Sequence, residues 1–181
     1  MIEVRWHGRG GQGSFTAARL LGSAASLFEN KFALAFPTFG PERRGAPVLG
    51  FTKIDDKKIL DRSEVESSDY VVILDETLIN ENMLKGIKDS AKIIINTKNP
   101  EKYEIFNKYE VFSLDATTLA LNELKMPITN TAMLGALIGV TNVVSIESAK
   151  EAIKNEMKAS IVQKNINLME SAYQEIIKGV K

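Results

Sequence analysis

The sequence contains no cysteine, and this absence removes two classes of protein. A chain without cysteine has no disulfide framework and cannot ligate an iron–sulfur cluster through thiolates. Histidine is almost absent as well, since His7 is the only one in 181 residues. No His/Cys group has the spacing of a metal site, and no Gly-x-Ser-x-Gly elbow occurs. We therefore predict no metal site and no catalytic residue within this chain, and we interpret His7 as a hydrogen-bonded residue at a strand end rather than a proton-transfer group.

Long apolar runs and an excess of one charge are also missing. No stretch approaches the ~20 apolar residues of a membrane-spanning helix, and the N-terminal residues lack the layout of a signal peptide. Lysine and arginine total 23, as do aspartate and glutamate, so the overall charge gives no case for nucleic-acid binding. We expect a soluble, cytoplasmic protein with neither a membrane nor a nucleic-acid partner.

Segments with strand and helix character alternate along the chain, which is typical of an α/β protein. Strands are predicted at residues 2–6, 32–36, 48–54, 70–74, 92–96 and 111–114. A first helix is predicted over residues 12–28, and an N-cap at Ser145 opens a helical end of the chain. The last helix carries an apolar core stripe of Ile166, Met169, Ala172, Tyr173, Ile176 and Ile177.

These patterns predict one domain over residues 1–181, because no linker, repeat or low-complexity tract divides the chain. With 44% hydrophobic residues the chain can build one substantial core. We expect a three-layer, Rossmann-like α/β fold with a mostly parallel or mixed sheet, helices on both faces and a helical C-terminal third. The apolar runs at 70–74 and 93–95 predict the sheet centre, where strands are covered on both faces.

The connection between the first strand and the first helix is rich in glycine. It consists of Gly8, Arg9, Gly10, Gly11, Gln12 and Gly13. Its glycines satisfy G-x-G-x-x-G, a pattern that brings free N–H groups and a helix N-terminus to an anion. A dinucleotide site also needs an acid at the end of the second strand, whereas Glu29 precedes that strand. Binding of NAD or FAD is therefore disfavoured. We expect the N–H groups of the loop to contact a phosphate, a carbonyl group or a loop of a partner subunit instead.

A second dense segment holds two adjacent arginines between prolines. It consists of Gly40, Pro41, Glu42, Arg43, Arg44, Gly45, Ala46 and Pro47. Paired guanidinium groups on a constrained loop suit bidentate contacts with a carboxylate or a phosphate. The same residues suit a solvent-exposed ion-pair turn of little energetic value. The residues alone leave both interpretations open.

Two further features have two interpretations each. Asp75 and Asp115 follow predicted strands as either N-caps or site carboxylates, and we favour the caps. Residues 130–139 combine Asn130 and Thr131 with small residues at near-helical spacing. This pattern permits close approach of another backbone, either in internal packing or at a subunit seam.

Three of these segments together resemble a known family. Residues 8–13, 40–48 and 130–136, in their order and separation, are similar to the signature segments of gamma subunits of 2-oxoacid:ferredoxin oxidoreductases. The pyruvate type, pyruvate synthase, resembles this chain best, and the resemblance covers essentially its whole length. Two alternatives stay open: a gamma subunit for a branched-chain, aryl or 2-oxoglutarate-type oxoacid, and a free-standing module that binds a nucleotide or another anion.

The resemblance implies a role within a larger enzyme. Complexes of this family make acetyl-CoA and CO₂ from pyruvate and reduce ferredoxin, and they use thiamine diphosphate, Mg²⁺, iron–sulfur clusters and coenzyme A. The alpha-, beta- and delta-type partner subunits would carry the thiamine and the clusters, so the isolated chain is expected to be inactive. On this interpretation residues 8–13, Arg43 and Arg44 bind a cofactor or close the active site. The expected subunit interface comprises Pro41, Glu42, Gly45, Asn130 and Thr131.

Overall fold

The computed structural model describes residues 1–38 and 44–179, which form six strands and five α-helices. The strands are β1 (Ile2–Arg9), β2 (Phe32–Pro37), β3 (Pro47–Asp55), β4 (Ser68–Ile73), β5 (Ile87–Asn96) and β6 (Glu110–Leu114). The helices are α1 (Ser14–Phe28), α2 (Ala116–Leu124), α3 (Asn130–Thr141), α4 (Ile146–Glu156) and α5 (Ala159–Gly179). Short 3₁₀ turns lie at Glu76–Leu78, Glu81–Leu84, Pro100–Lys102 and Glu104–Phe106. Every predicted strand overlaps an observed one, and the helical end of the chain is confirmed.

The sheet is mixed and has the order β2-β3-β1-β4-β5-β6. Strands β1, β4, β5 and β6 are parallel, whereas β3 runs antiparallel to β1 and to β2. After β1 the chain forms β2 and β3 on one side of that strand, and it then crosses to the other side to form β4. The carboxyl ends of the four parallel strands meet at one edge, together with the start of β3. We call this the carboxyl edge, and its switch point between β1 and β4 is where α/β proteins commonly bind ligands.

The two faces of the sheet are covered differently. The α-helices share one continuous core with Trp6, Val72 and Ile94 on one face. On the other face, Ile73 and Ile95 pack against the segments that contain the 3₁₀ turns. The mixed α/β sheet is confirmed, but the prediction of helices on both faces is wrong for the α-helices, all five of which lie on one face. The other face carries 3₁₀ turns, because the β4–β5 and β5–β6 connections lack an apolar helical repeat long enough for an α-helix. In the described ranges, every helix falls short of the length or the apolarity that crossing a bilayer requires.

Helix α1 is fixed to the sheet by a hydrogen-bonded chain beneath it. The indole Nε1 of Trp6 donates to Thr52 Oγ1 at 3.1 Å, and that hydroxyl donates to the carbonyl of Ala18 at 2.9 Å. Trp6 and Thr52 are fully buried, so the chain satisfies polar atoms that would otherwise be costly inside the core. It also sets the position of α1, whose N-terminus reaches the carboxyl edge.

Helix α3 is surrounded by the protein, with ten of its twelve residues buried. A helix that is apolar on all sides belongs in a core, and α5 packs along it. A Cβ atom at Gly135 would lie 2.1 Å from the carbonyl oxygen of Met169, and one at Gly139 would lie 2.6 Å from Ile176 Cγ2. Gly135 and Gly139 therefore serve internal packing of α3 against α5, which is one of the two interpretations of the small residues.

We predict that Gly135→Ala lowers the free energy of unfolding by about 2–3 kcal/mol, because the added methyl forces α3 and α5 apart. Chemical denaturation of the isolated chain measures this change. Gly179→Ala is the matched control, since a Cβ there meets no atom within 4 Å, and its effect should stay within about 0.5 kcal/mol. An equally stable Gly135→Ala variant would contradict the tight α3–α5 contact.

Candidate functional site

The carboxyl edge brings two of the predicted loops together. The N–H of Gly10 donates to the carbonyl of Ala46 at 2.8 Å, and the N–H of Gly45 donates to the carbonyl of Gly10 at 3.1 Å. The glycine loop (residues 8–13) and residues 44–47 thus lie side by side. Arg44 is exposed next to this contact and forms no ion pair with any described residue. The predicted site residues Pro41, Glu42 and Arg43 lie outside the described residues.

The side chain of Arg9 bonds to other residues of this chain. Its Nε lies 3.1 Å from Asp75 Oδ2, its Nη2 donates to Thr77 Oγ1 at 2.8 Å, and its Nη1 donates to the carbonyl of Gly45 at 3.0 Å. Gln12 completes the group: its Nε2 donates to Asp75 Oδ2 at 2.9 Å and its Oε1 accepts from the N–H of Arg9 at 2.7 Å. We call Arg9, Gln12, Asp75 and Thr77 the Arg9–Asp75 clamp. It joins the glycine loop to the end of β4.

Asp75 serves as both a cap and a site residue. Its Oδ1 accepts from the N–H of Thr77 at 3.0 Å, so the favoured cap is confirmed, while Oδ2 belongs to the clamp. Burial alone would raise the pKa of this carboxyl, but hydrogen bonds from Thr77 and Gln12 and the charge of Arg9 hold the pKa below its usual value. The other cap is also confirmed, because Asp115 Oδ1 accepts from the N–H of Thr118 at 3.0 Å.

Glu29 lies at the end of the first helix, as predicted, and not at the end of a strand. It caps the far end of α1, where its carboxylate accepts from the N–H of Ser145 at 2.5 Å. That contact lies at the opposite edge of the sheet from the glycine loop. Glu29 therefore cannot accept hydrogen bonds from a ribose bound at the carboxyl edge.

The start of α1 leaves backbone donors open. Gly13 has φ 82 and precedes the helix without a side-chain cap, so α1 begins at Ser14, two residues later than predicted. The N–H groups of Gly11 and Gly13 donate to no acceptor within the described ranges, and the first turn of any helix has unpaired N–H groups. A cavity of about 300 Å³ lies beside them. These donors and the helix dipole together suit an anionic group.

His7 lies at the end of β1 and is only 7% exposed. Its Nε2 is buried without a hydrogen-bond partner, so the predicted local partner is missing at this nitrogen. Leaving a buried polar atom unpaired costs about 1–3 kcal/mol. Burial, assisted by the charge of Arg5, lowers the pKa of His7 to about 3. The imidazole is therefore neutral near pH 7, and it carries no positive charge to attract an anion.

Arg5 fixes the segment that faces His7. Its Nη1 donates to the carbonyl of Lys85 and its Nη2 to the carbonyl of Met83, both at 2.8 Å. The β4–β5 segment, which includes Thr77, Asn80 and Met83, thereby forms one wall of the edge. Sequence interpretation missed these wall residues, although their position after β4 at a switch point was a usable signal. Among the described residues, no three His, Asp or Glu side chains are placed to hold a metal ion.

Comparison with known proteins places this geometry in a family. The family model for pyruvate ferredoxin/flavodoxin oxidoreductase matches residues 3–175. The chain belongs to this family. It is 49% identical over 179 residues to the pyruvate synthase subunit PorC of Methanocaldococcus jannaschii, covering 98% of both chains. It is 46% identical over 181 residues to the common gamma subunit of the pyruvate and ketoisovalerate oxidoreductases of Pyrococcus furiosus, covering 97% of each.

Solved structures agree with this assignment. The pyruvate oxidoreductase subunit PORC of Thermotoga maritima superposes with a TM-score of 0.83 at 34% identity, covering 96% of this chain and 95% of that one. A larger protein contains the same fold: 2-oxoglutarate:ferredoxin oxidoreductase of Magnetococcus marinus, with 2-oxoglutarate, coenzyme A and succinyl-CoA bound, matches with a TM-score of 0.78 at 16% identity. That match covers 99% of this chain and 31% of the larger one.

We predict that Arg9 and Asp75 are energetically coupled by about 1 kcal/mol or more, because the ion pair is partly buried and carries additional hydrogen bonds. A double-mutant cycle with Arg9→Ala and Asp75→Ala, measured by chemical denaturation, gives this energy. The Lys108–Asp89 pair, at 3.5 Å with side chains 61% and 96% exposed, is the control and should couple by only about 0–0.5 kcal/mol. Equal coupling in the two pairs would contradict a special role for the clamp.

The lowered pKa of His7 in the folded chain should make the free energy of unfolding depend on pH. Below pH 6.5 the unfolded chain binds a proton at this residue, whereas the folded chain does not until about pH 3. The free energy of unfolding should therefore fall as the pH drops from 6.5 to about 5, by up to about 1.4 kcal/mol per unit. His7→Phe should remove this part of the slope in urea denaturation at several pH values. An unchanged slope would show that folded His7 titrates normally.

Proposed function

We propose that this chain is the gamma subunit of a cytoplasmic pyruvate synthase, the pyruvate:ferredoxin oxidoreductase that forms acetyl-CoA and CO₂. The observation that carries the proposal is the 49% identity to the pyruvate synthase subunit PorC of Methanocaldococcus jannaschii, which extends over 98% of both chains. The alternative of a free-standing anion-binding module explains the glycine loop but not this full-length similarity. The proposed partners are alpha-, beta- and delta-type subunits, with ferredoxin as the electron acceptor of the complex.

In this proposal the chain supplies no redox chemistry of its own. Thiamine diphosphate, Mg²⁺ and the iron–sulfur clusters are assigned to the partner subunits. The absence of cysteine supports that assignment for the clusters, because their ligands are cysteine thiolates. Thiamine stabilises the carbanion in such reactions. The contribution of this chain is then to bind an anionic group and to close one side of the active site.

The carboxyl edge suits the anionic part of coenzyme A. Gly11 and Gly13 have unpaired N–H groups at the N-terminus of α1, and the exposed Arg44 precedes Gly45, whose N–H donates to the carbonyl of Gly10 in the same loop. Backbone amides at a helix N-terminus and a guanidinium group with its several N–H donors are both typical of phosphate binding. Coenzyme A is bound in the Magnetococcus structure that shares the fold. We propose Arg44, together with Arg43, as the cationic contact, whereas Arg9 and Gln12 act indirectly by fixing the loop.

The oxoacid side chain is proposed to contact other subunits. The Pyrococcus relative is named as common to a pyruvate and a ketoisovalerate oxidoreductase, at 46% identity. A subunit that serves two oxoacids is suited to the part of the reaction that both share, which is transfer of an acyl group to coenzyme A. We therefore assign this chain to the coenzyme A side of the active site.

The proposed subunit interface is the same edge. Gly45 is exposed there, and Asn130 lies against Gly13, where an added Cβ would come within 2.5 Å of the Asn130 amide nitrogen. Thr131 is fully buried and donates to Asn165 Oδ1 at 3.0 Å. We propose that Gly45 contacts a partner subunit directly and that Thr131 supports Asn130 from within the core.

We predict that Arg44→Ala raises the KM for coenzyme A of the assembled complex by about 10- to 100-fold, the effect of losing a charge-assisted contact of roughly 1.5–3 kcal/mol. Arg44→Lys should recover the loss only in part, because lysine keeps the charge but not the planar fork. The measurement is pyruvate-dependent reduction of ferredoxin by complexes reconstituted with each variant. The chain alone, expected to give no turnover, is the blank.

Arg62→Ala is the matched control, since Arg62 is exposed in the β3–β4 connection at the opposite edge. Neither substitution should change the melting temperature of the isolated chain by more than a few degrees, because exposed ion pairs contribute little. A KM for coenzyme A that stays at the wild-type value in the Arg44→Ala complex would contradict the proposed contact.

A further inference from the structure

Strand β2 forms one lateral edge of the sheet and lacks the usual protection of an edge strand. Among the described residues it pairs with β3 alone, so its other side faces no strand. Its sequence, Phe-Ala-Leu-Ala-Phe-Pro, contains no charged side chain. An open edge pairs readily with another strand, and proteins prevent this with charged side chains, prolines or bulges. In β2 this protection is limited to Pro37 at the last position.

The opposite lateral edge, formed by β6, is protected by charge. Glu110 begins the strand with its side chain 59% exposed, and Lys108 lies just before it with its side chain 61% exposed. Charges of this kind oppose pairing with a further strand. The contrast between the two edges indicates that β2 is the edge that accepts a partner.

The hydrogen-bond pattern identifies the backbone groups of β2 that point outward. The N–H of Thr38 donates to the carbonyl of Leu49 at 2.9 Å, in the same register as the β2–β3 pairing. In antiparallel strands, residue pairs that exchange hydrogen bonds alternate with pairs that do not. The even-numbered residues of β2 therefore bond to β3, whereas Ala33 and Ala35 direct their N–H and C=O groups outward. Within the described ranges, no acceptor lies against either outward N–H.

Apolar side chains follow the same edge. The odd-numbered alanines of β2 face Gly22 of α1, so the even-numbered side chains lie on the other face of the sheet. Phe32 is 47% exposed, Leu34 is half-buried, and Phe36 packs against Phe51 with the ring centroids 5.4 Å apart. A strand added at this edge would cover apolar surface and also satisfy backbone groups.

A second copy of β2 fits this edge in a defined register. Facing residues of an antiparallel pair lie on the same face, so a two-fold axis that relates two copies of β2 must pass through a residue. With the axis at Leu34, Ala33 of each copy lies opposite Ala35 of the other. The outward N–H and C=O groups of these alanines then form four hydrogen bonds.

The side chains favour the axis at Leu34 over its neighbours. Phe32 then faces Phe36 of the other copy, and Leu34 faces its own equivalent, so every apolar side chain of this row meets another. Cross-strand pairs of this kind stabilise a sheet. An axis one residue earlier would set Phe36 opposite Asn30, and an axis one residue later would set Phe32 opposite Thr38.

We propose that β2 pairs with β2 of a second copy of this chain, antiparallel about a two-fold axis at Leu34, and that the two sheets thereby join into one continuous sheet. Two-fold dimers are the commonest symmetric assemblies of soluble proteins. The carboxyl edges of the two copies point in opposite directions and remain accessible to other subunits. This pairing is independent of the proposed function, because none of the residues proposed to bind coenzyme A takes part in it.

The absence of cysteine from the chain permits a specific crosslinking test. Leu34→Cys places two thiols opposite each other in a pair without mutual hydrogen bonds, where the Cα atoms are about 4.5 Å apart. This separation suits a disulfide. Phe32→Cys is the matched control: Phe32 is the more exposed residue, but its two copies would lie four strand residues apart, or more than about 13 Å.

Mild oxidation of the full chain should convert most of Leu34→Cys to a disulfide-linked dimer and should crosslink Phe32→Cys at least about tenfold more slowly. Gel electrophoresis without reductant measures both rates. A Leu34→Cys chain that stays monomeric, or equal rates for the two variants, overturns the inference.

The mass of the wild-type chain gives an independent measurement and decides alone if Leu34→Cys does not fold. Analytical ultracentrifugation should show twice the 20.0 kDa mass of one chain. The competing occupant of the edge is a strand of a different subunit. In that case the wild-type chain sediments as a monomer at every concentration, and Leu34→Cys forms no crosslink between two copies of this chain in the assembled complex. Either result overturns the inference.

Discussion

The ion pair between Arg9 and Asp75 determines the geometry of the carboxyl edge. It joins the glycine loop to the end of β4, with side chains 34% and 15% exposed, so the charges interact where water screens them only in part. Hydrogen bonds from Gln12 and Thr77 to the same carboxylate hold it in one orientation. Because these side chains satisfy one another, the loop is held by contacts within the chain that need no ligand. A preorganised loop lowers the entropy lost on binding.

The clamp also explains how this chain uses a dinucleotide-type glycine pattern without a dinucleotide site. In a Rossmann fold the acid that contacts ribose ends the parallel strand beside the first one. Here the neighbour of β1 on that side is β3, which runs antiparallel and begins at the carboxyl edge. No strand carboxyl end lies at that position, and the described residues that begin β3 there, Pro47 and Val48, are not acidic. Among the described residues, the acid that contacts the glycine loop is Asp75, on the other side of β1, and it is paired with Arg9.

Local signals in the sequence were sufficient to predict the helices and strands, but not the contacts that build the candidate site. Strand periodicity and the caps at Asp115 and Ser145 depend on neighbouring residues, and the structure confirms them. Arg9 and Asp75 are 66 positions apart, and no local pattern joins them. The missing partner of His7 Nε2 was equally hidden, because it depends on which residues distant in sequence surround the end of β1. Contacts of this kind follow from topology, which periodicity alone does not give.

The edge places two environments of opposite character on either side of β1. On the α1 side, unpaired N–H groups, the helix dipole and Arg44 favour negative charge. On the other side, a neutral His7 among apolar walls disfavours charge, and burial ensures that the imidazole stays neutral near pH 7. The clamp lies between them, because Arg9 borders the cavities on both sides and its bond to Thr77 ties the glycine loop on one side to the wall on the other.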